Sequence, residues 1–137
     1  MKKLLIVDDS TDLLYPIQKL LSLYDFDVHT AKDGNSFINE FKSFSPEIVL
    51  IDVLLNGTDG REICKSLRED PRNNDVTLIL FSASPKHLKD YKEVGADGAI
   101  EKPFAITDFI HAIKGAVLSR KQSLIAHKTS PTVSPRN

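Results

Sequence analysis

A doubly wound α/β fold, a five-stranded parallel sheet covered by helices on both faces, is predicted by three features of this sequence. Short apolar runs alternate with segments of helical spacing, which is a (βα)5 repeat. Runs such as "IVLI" and "TLILF" lack polar alternation, so their strands are covered on both sides. Finally, 137 residues with 41% hydrophobic content suffice for one core and no more. Right-handed crossovers then place helices on each face of the sheet.

The first strand spans Lys3 to Val7, and Leu13, Leu14, Ile17, Leu20, Leu21 and Tyr24 recur every three or four residues behind it, as one buried helix face requires. Pro16 falls inside that segment. It forfeits little if the helix begins near Asp12 and kinks the helix if it begins earlier. The second strand, Val28 to Ala31, lies in the alternating stretch "DVHTA", as an edge strand would, and its helix carries Phe37, Ile38, Phe41 and Phe44. The third strand is Ile48 to Ile51, followed through an Asp59-Gly60 turn by a helix with Ile63 and Leu67. The fourth strand is Val76 to Phe81, and Leu88, Tyr91 and Val94 predict a helix that stops before Gly95. The fifth strand is Gly98 to Ile100, with Ile106, Phe109, Ile110, Ile113 and Val117 marking the last helix. The domain is assigned to residues 1–120. Residues 121–137, rich in Ser, Thr and Pro and without a periodic apolar face, are expected to be a polar mobile tail or truncated linker.

Charge is nearly balanced, with 18 Lys and Arg against 19 Asp and Glu. The basic residues are scattered, which argues against direct nucleic-acid binding. Cys64 is the only cysteine and cannot form an intramolecular disulfide. No stretch has the roughly 18 apolar residues of a membrane span, and the N-terminus lacks a signal-peptide core. A soluble, cytoplasmic protein without membrane contact is the expectation.

In open parallel sheets, ligands sit at the carboxyl ends of the strands. Here those ends carry Asp8 and Asp9, Asp52, Ser82 and Lys102. Each has an ordinary explanation alone: acids cap helices, "SASP" is a good helix start with Ser82 or Ser84 as cap, and a lysine before proline is commonly a surface residue. One site accounts for all five together. Three close carboxylates repel by about 4 kcal/mol per pair at an effective dielectric near 20, and a divalent cation removes the conflict. All-oxygen ligands with room for water favour Mg²⁺ over Ca²⁺. With the ion held by Asp8 or Asp9 and one oxygen of Asp52, the other Asp52 oxygen can act as a nucleophile. Lys102 would supply charge to a phosphoryl group and Ser82 a hydrogen-bond donor. No GxGxxG or P-loop pattern offers an alternative phosphate cradle.

The segments "VDDS", "LIDVLLNGTDG", "LFSAS" and "EKPF", in this order and spacing, resemble the receiver domain of two-component response regulators over roughly Lys2 to Leu118. The resemblance implies strand order 2-1-3-4-5, the flavodoxin-like arrangement, in a stand-alone single-domain member. It implies Asp52 as phosphoacceptor, Asp8 and Asp9 as the Mg²⁺ pair, Ser82 as the switch hydroxyl and Lys102 as the phosphoryl contact. It adds the backbone carbonyl of Leu54 to the metal shell and a cis Lys102-Pro103 peptide. It implies a phosphoacceptor that catalyses its own phosphotransfer, with no enzyme activity on other substrates. The implied donor is a sensor histidine kinase, a phosphotransfer protein or a small acyl phosphate, and the output partner is another protein. The first helix, with Leu14 and Tyr15 near its exposed edge, is the expected kinase-docking surface, although Leu14 taken singly is expected to be buried.

The chain departs from the family at two points. Ala99 stands where an aromatic ring usually swings inward upon activation, so ring rotation cannot be its readout. Asn56 precedes Gly57 where many members have proline. At the two positions that tune hydrolysis of the phosphoaspartate stand Leu54 and Ser84, and an apolar Leu54 predicts a slowly decaying phosphorylated state. A Mg²⁺-dependent phosphohydrolase is the main rival reading, but it would need an acid at position 54. A pseudo-receiver that is never phosphorylated is the second; Ala99 lends it some support and the intact acid pair opposes it.

Overall fold

The computed structural model describes residues 1–129. Its elements in chain order are β1 (Lys2–Val7), α1 (Thr11–Ser22), β2 (Phe26–Ala31), α2 (Gly34–Phe44), β3 (Ile48–Asp52), the two-residue strands β4 (Leu54–Leu55) and β5 (Thr58–Asp59), α3 (Gly60–Glu69), β6 (Thr77–Ser82), β7 (Gly98–Glu101) and α4 (Ile106–Thr129). Two 3₁₀ turns, Pro71–Asn73 and Pro85–Leu88, lie between α3 and β6 and between β6 and β7. The five long strands form one sheet in the order β2-β1-β3-β6-β7, and every pair in it is parallel. Counted as sheet strands this is the expected order 2-1-3-4-5, with the alternating second strand at one edge.

The two faces of the sheet bury separate cores, as strands without polar alternation require. On one face Leu4, Ile6, Leu50, Ile79, Phe81 and Ile100 pack with Leu14 and Leu21 of α1 and Phe109 and Ile113 of α4. On the other, Leu5, Val7, Val49, Ile51, Leu78 and Leu80 pack with Phe37 and Phe44 of α2 and with Cys64 and Leu67 of α3. Burial pushes the Cys64 thiol up to about 12, so it behaves as a small apolar side chain.

Helix α1 begins at Thr11, where Leu14 donates to the Ser10 carbonyl at 3.3 Å. Pro16 is therefore past the first turn and removes one interior hydrogen bond. Leu14 is buried, as expected for that residue taken singly, and Tyr15 is exposed.

The predicted fourth helix is corrected. After the turn at Pro85–Leu88 the chain continues as hydrogen-bonded turns, in which Tyr91 donates to Leu88, Glu93 to Asp90 and Gly95 to Lys92. Leu88, Tyr91 and Val94 recur at strict intervals of three. That is the period of a 3₁₀ turn, and Leu88, Tyr91 and Val94 pack on the second core from a segment that mixes i→i+3 bonds with an i→i+4 bond from Val94 to Asp90. Gly95, at φ +94, ends the segment.

Helix α4 runs on past residue 120, through Thr129. Residues 121–128 contain neither Gly nor Pro, and once the packed part of a helix is formed each further residue adds a bond at little cost. Leu118 and Ile125 are exposed. Residues 130–137, the rest of the expected tail, lie outside the described residues.

No described helix is long and apolar enough to cross a membrane.

Candidate functional site

The period of two along a strand explains why the site exists. Asp8, Asp52 and Lys102 each stand two residues beyond an apolar residue of the same core, Ile6, Leu50 and Ile100 respectively. The inward alternation that buries these three residues delivers polar groups to one side as each strand ends. Asp8 and Asp52 are buried, with 1% and 6% of their surface exposed, and Asp9 is exposed.

Lys102 joins them. Its Nζ donates to Asp8 Oδ2 and to Asp52 Oδ2, both at 2.9 Å. The remaining oxygens are held by backbone amides: Ser10 donates to Asp8 Oδ1 at 2.9 Å and Leu54 to Asp52 Oδ1 at 3.0 Å. Burial pushes the Asp52 carboxyl above its ordinary range. Hydrogen bonds from Lys102 and the Leu54 amide offset this only in part, and the Asp8 charge adds to the rise. For Lys102, burial opposes the charged form, but the hydrogen bonds to Asp8 and Asp52 outweigh it and its pKa is raised. The lysine is the cation of this site and the aspartates its anions.

Oxygens of Asp8, Asp9 and Asp52 all lie within 4.8 Å of one another. Three carboxylates against one ammonium leave two negative charges, the charge of one divalent cation. The donor set is all oxygen, with no His or Cys in the cluster, so it fits a hard ion such as Mg²⁺.

Ser82 closes β6 and is wholly buried. Its Oγ accepts from the Ser84 amide at 3.1 Å, which leaves its own proton available to donate, and its carbonyl accepts from the Lys102 amide at 2.9 Å. The peptide between Lys102 and Pro103 is cis, as expected. Ala99 is half-buried against the second core. The Leu54 side chain, just past Asp52, is 56% exposed.

The structure therefore brings together Asp8, Asp9, Asp52 and Lys102, with Ser82 beside them at the end of the neighbouring strand. A model of the response regulator receiver domain matches residues 4–114. The chain belongs to this family.

Solved structures agree on the fold. A CheY-like receiver domain protein from Methanospirillum hungatei is 23% identical, with a TM-score of 0.77 and coverage of 90% of this chain and 98% of that one. A response regulator from Chloroflexus aurantiacus is 24% identical, with a TM-score of 0.78 and coverage of 85% and 98%. TrrA from Thermotoga maritima, solved in complex with Mg²⁺-BeF, is 24% identical, with a TM-score of 0.75 and coverage of 85% and 99%.

Three features of this receiver were not legible as site residues in its sequence. Gly60 opens α3 directly against the Asp52 carbonyl, where a Cβ would sit only 2.0 Å from that oxygen. The residues after Asp52 form a hairpin through β4 and β5, turned at Gly57 with φ +75, which the Asn56-Gly57 pair could have signalled. Phe81 lies under Lys102, its ring centroid 4.4 Å from Nζ. Its apolar character read as core alone.

Proposed function

We propose that this receiver is a phosphorylation-activated signalling switch that accepts a phosphoryl group on Asp52 in a Mg²⁺-dependent reaction and so alters a protein-interaction surface. The observation that carries this reading is the Lys102 ammonium bridging Asp8 and Asp52 beside an acid cluster with two surplus negative charges.

Asp8, Asp9 and Asp52, with the Leu54 carbonyl, would hold Mg²⁺, which when bound neutralises the acids and polarises the phosphoryl group. An Asp52 carboxylate oxygen attacks phosphorus. The bond from phosphorus to the donor breaks as the new P–O bond forms, and its electron pair leaves on the imidazole nitrogen of a phosphohistidine or the oxygen of an acyl phosphate. Lys102 follows the charge onto the phosphoryl oxygens, and the Ser82 hydroxyl donates to one of them. The protein thus promotes its own modification and acts on no other substrate.

The donor is a sensor histidine kinase, a phosphotransfer protein or a small acyl phosphate, and the recipient of the signal is another protein. The added charge of nearly two draws Ser82 and the turns after it towards Asp52 and shifts the surface made by residues 83–95, β7 and α4 between two arrangements. The exposed Leu54 side chain cannot orient an attacking water, so the phosphoryl group is lost slowly.

Incubation with an acyl phosphate and Mg²⁺, followed by intact mass measurement, tests the reading. An alkali-labile phosphoryl adduct absent in Asp52→Asn is the expected result. Wild-type protein that gains no mass under these conditions overturns it.

A further inference from the structure

Lys102 and its two carboxylates come from strands that do not adjoin. In the sheet order β7 is separated from β3 by β6, and from β1 by both β6 and β3. With strands roughly 4.8 Å apart, the lysine must cross one whole strand to reach Asp52 and two to reach Asp8. The residue it crosses is fixed by register. Asp52 pairs with Phe81, and Phe81 pairs with Ile100, so Phe81 lies between the acid and the strand that delivers the lysine. Its side chain belongs to the same core as Leu50 and Ile100 and so lies on the face from which Asp52 and Lys102 emerge.

The Lys102 ammonium rests 4.4 Å from the centroid of this ring. Phe81 is 1% exposed, so the ring is withheld from water and its negative face is little screened. An aliphatic side chain of similar size would offer the cation an apolar floor that neither hydrates nor attracts it. The ring attracts the ammonium without supplying a lone pair.

We propose that Phe81 is a positioning residue of the phosphoryl-transfer site, its ring face carrying the Lys102 ammonium across β6 to the carboxylates. This rests on the phosphoacceptor reading above. It assigns to a core residue an electrostatic role in the reaction, acting through Lys102 and touching no reacting atom.

Shape and electrostatics can be separated. Replacing Phe81 by mono-, di- and trifluorinated phenylalanine progressively weakens the negative ring face with little change in volume, while Phe81→Leu removes the ring. Each full-length variant is phosphorylated with an acyl phosphate and Mg²⁺ and followed by intact mass, and its melting temperature is recorded. The expected result is a rate constant that falls in order of fluorine content, reaching a loss between about 2-fold and 30-fold for Phe81→Leu, the span of exposed to desolvated cation–π contacts. Melting temperatures of the fluorinated series should not follow that order. A contact that merely fills space predicts rates that track stability. Wild-type adduct formation with rates unmoved by fluorination overturns the role of Phe81 and leaves Asp52 as phosphoacceptor. Absence of any wild-type adduct overturns the phosphoacceptor reading and this role with it.

Discussion

Gly60→Ala perturbs the receiver at the point where a helix meets the phosphoacceptor strand. The added Cβ would lie 2.0 Å from the Asp52 carbonyl oxygen, 2.8 Å from Ile51 Cγ2 and 2.9 Å from the Asp52 carbonyl carbon. None of the closest atoms is the far end of a flexible side chain, so backbone must move. Restoring even a 3.0 Å contact to the oxygen takes a displacement of about 1 Å, which strains the 2.8 Å bond from the Gly60 amide to the Val53 carbonyl. Overpacking of this kind costs about 1–3 kcal/mol, and the strained hydrogen bond adds about 1 kcal/mol. Gly60 is the first residue of α3, so little helix propensity is gained in return. A net loss of about 2–4 kcal/mol is expected in urea unfolding followed by circular dichroism, together with slower phosphorylation because Asp52 moves with its carbonyl. Gly57→Ala is the internal control. Its φ of +75 is strained for alanine but nothing lies within 4 Å of the new Cβ, so the loss should be about 1 kcal/mol. A Gly60→Ala protein within about 0.5 kcal/mol of wild type, or no worse than Gly57→Ala, would refute the claim that this close approach sets the position of Asp52.

Three further outcomes follow from the same site. Because burial raises the Asp52 carboxyl, the folded state holds that proton more tightly than the unfolded chain does. Stability contributed by this group is therefore greatest below the ordinary carboxylate range and is lost as pH rises through the raised native value. With chelator present, Asp52→Asn should accordingly melt above wild type at pH 7, with the gap closing as pH falls towards 4; a gap that does not depend on pH would exclude burial of the charge as its cause. Mg²⁺ should raise the melting temperature of wild type, by the equivalent of about 2.7 kcal/mol at one hundred times its dissociation constant. Asp9→Asn, which alters an exposed acid, should lose most of that rise while folding normally, and an undiminished rise would place the ion elsewhere. Leu54→Glu should shorten the lifetime of the phosphorylated state by about tenfold or more, short of the ~10²-fold of a well-placed base. An unchanged decay measured by intact mass would remove Leu54 from the control of hydrolysis.

How much could be read from the chain alone differs element by element. The three inner strands, and the acids that follow two of them, were legible because burial on both faces forces uninterrupted apolar runs, and a carboxylate after such a run is conspicuous. Leu88, Tyr91 and Val94 were read as helical because spacings of three satisfy both a 3.6- and a 3.0-residue turn over so short a span; only contact with the sheet selects between them. Helix α4 runs past residue 120 although residues 121–128 show no periodic apolar face, because helix growth from a packed stem needs none. Phe81 read as core, and it is core; that its ring also meets a cation depends on two other strands.

The sequence by itself determined that Asp8, Asp9, Asp52, Ser82 and Lys102 stand at the carboxyl ends of strands, since an apolar run marks where each strand stops. The strand order was expected through the family resemblance alone, and the register was decided only by tertiary packing. They set Lys102 two strands from Asp52 with Phe81 between them, and Gly60 against the Asp52 carbonyl. These contacts join residues far apart in the chain, and no local pattern encodes the distance between them.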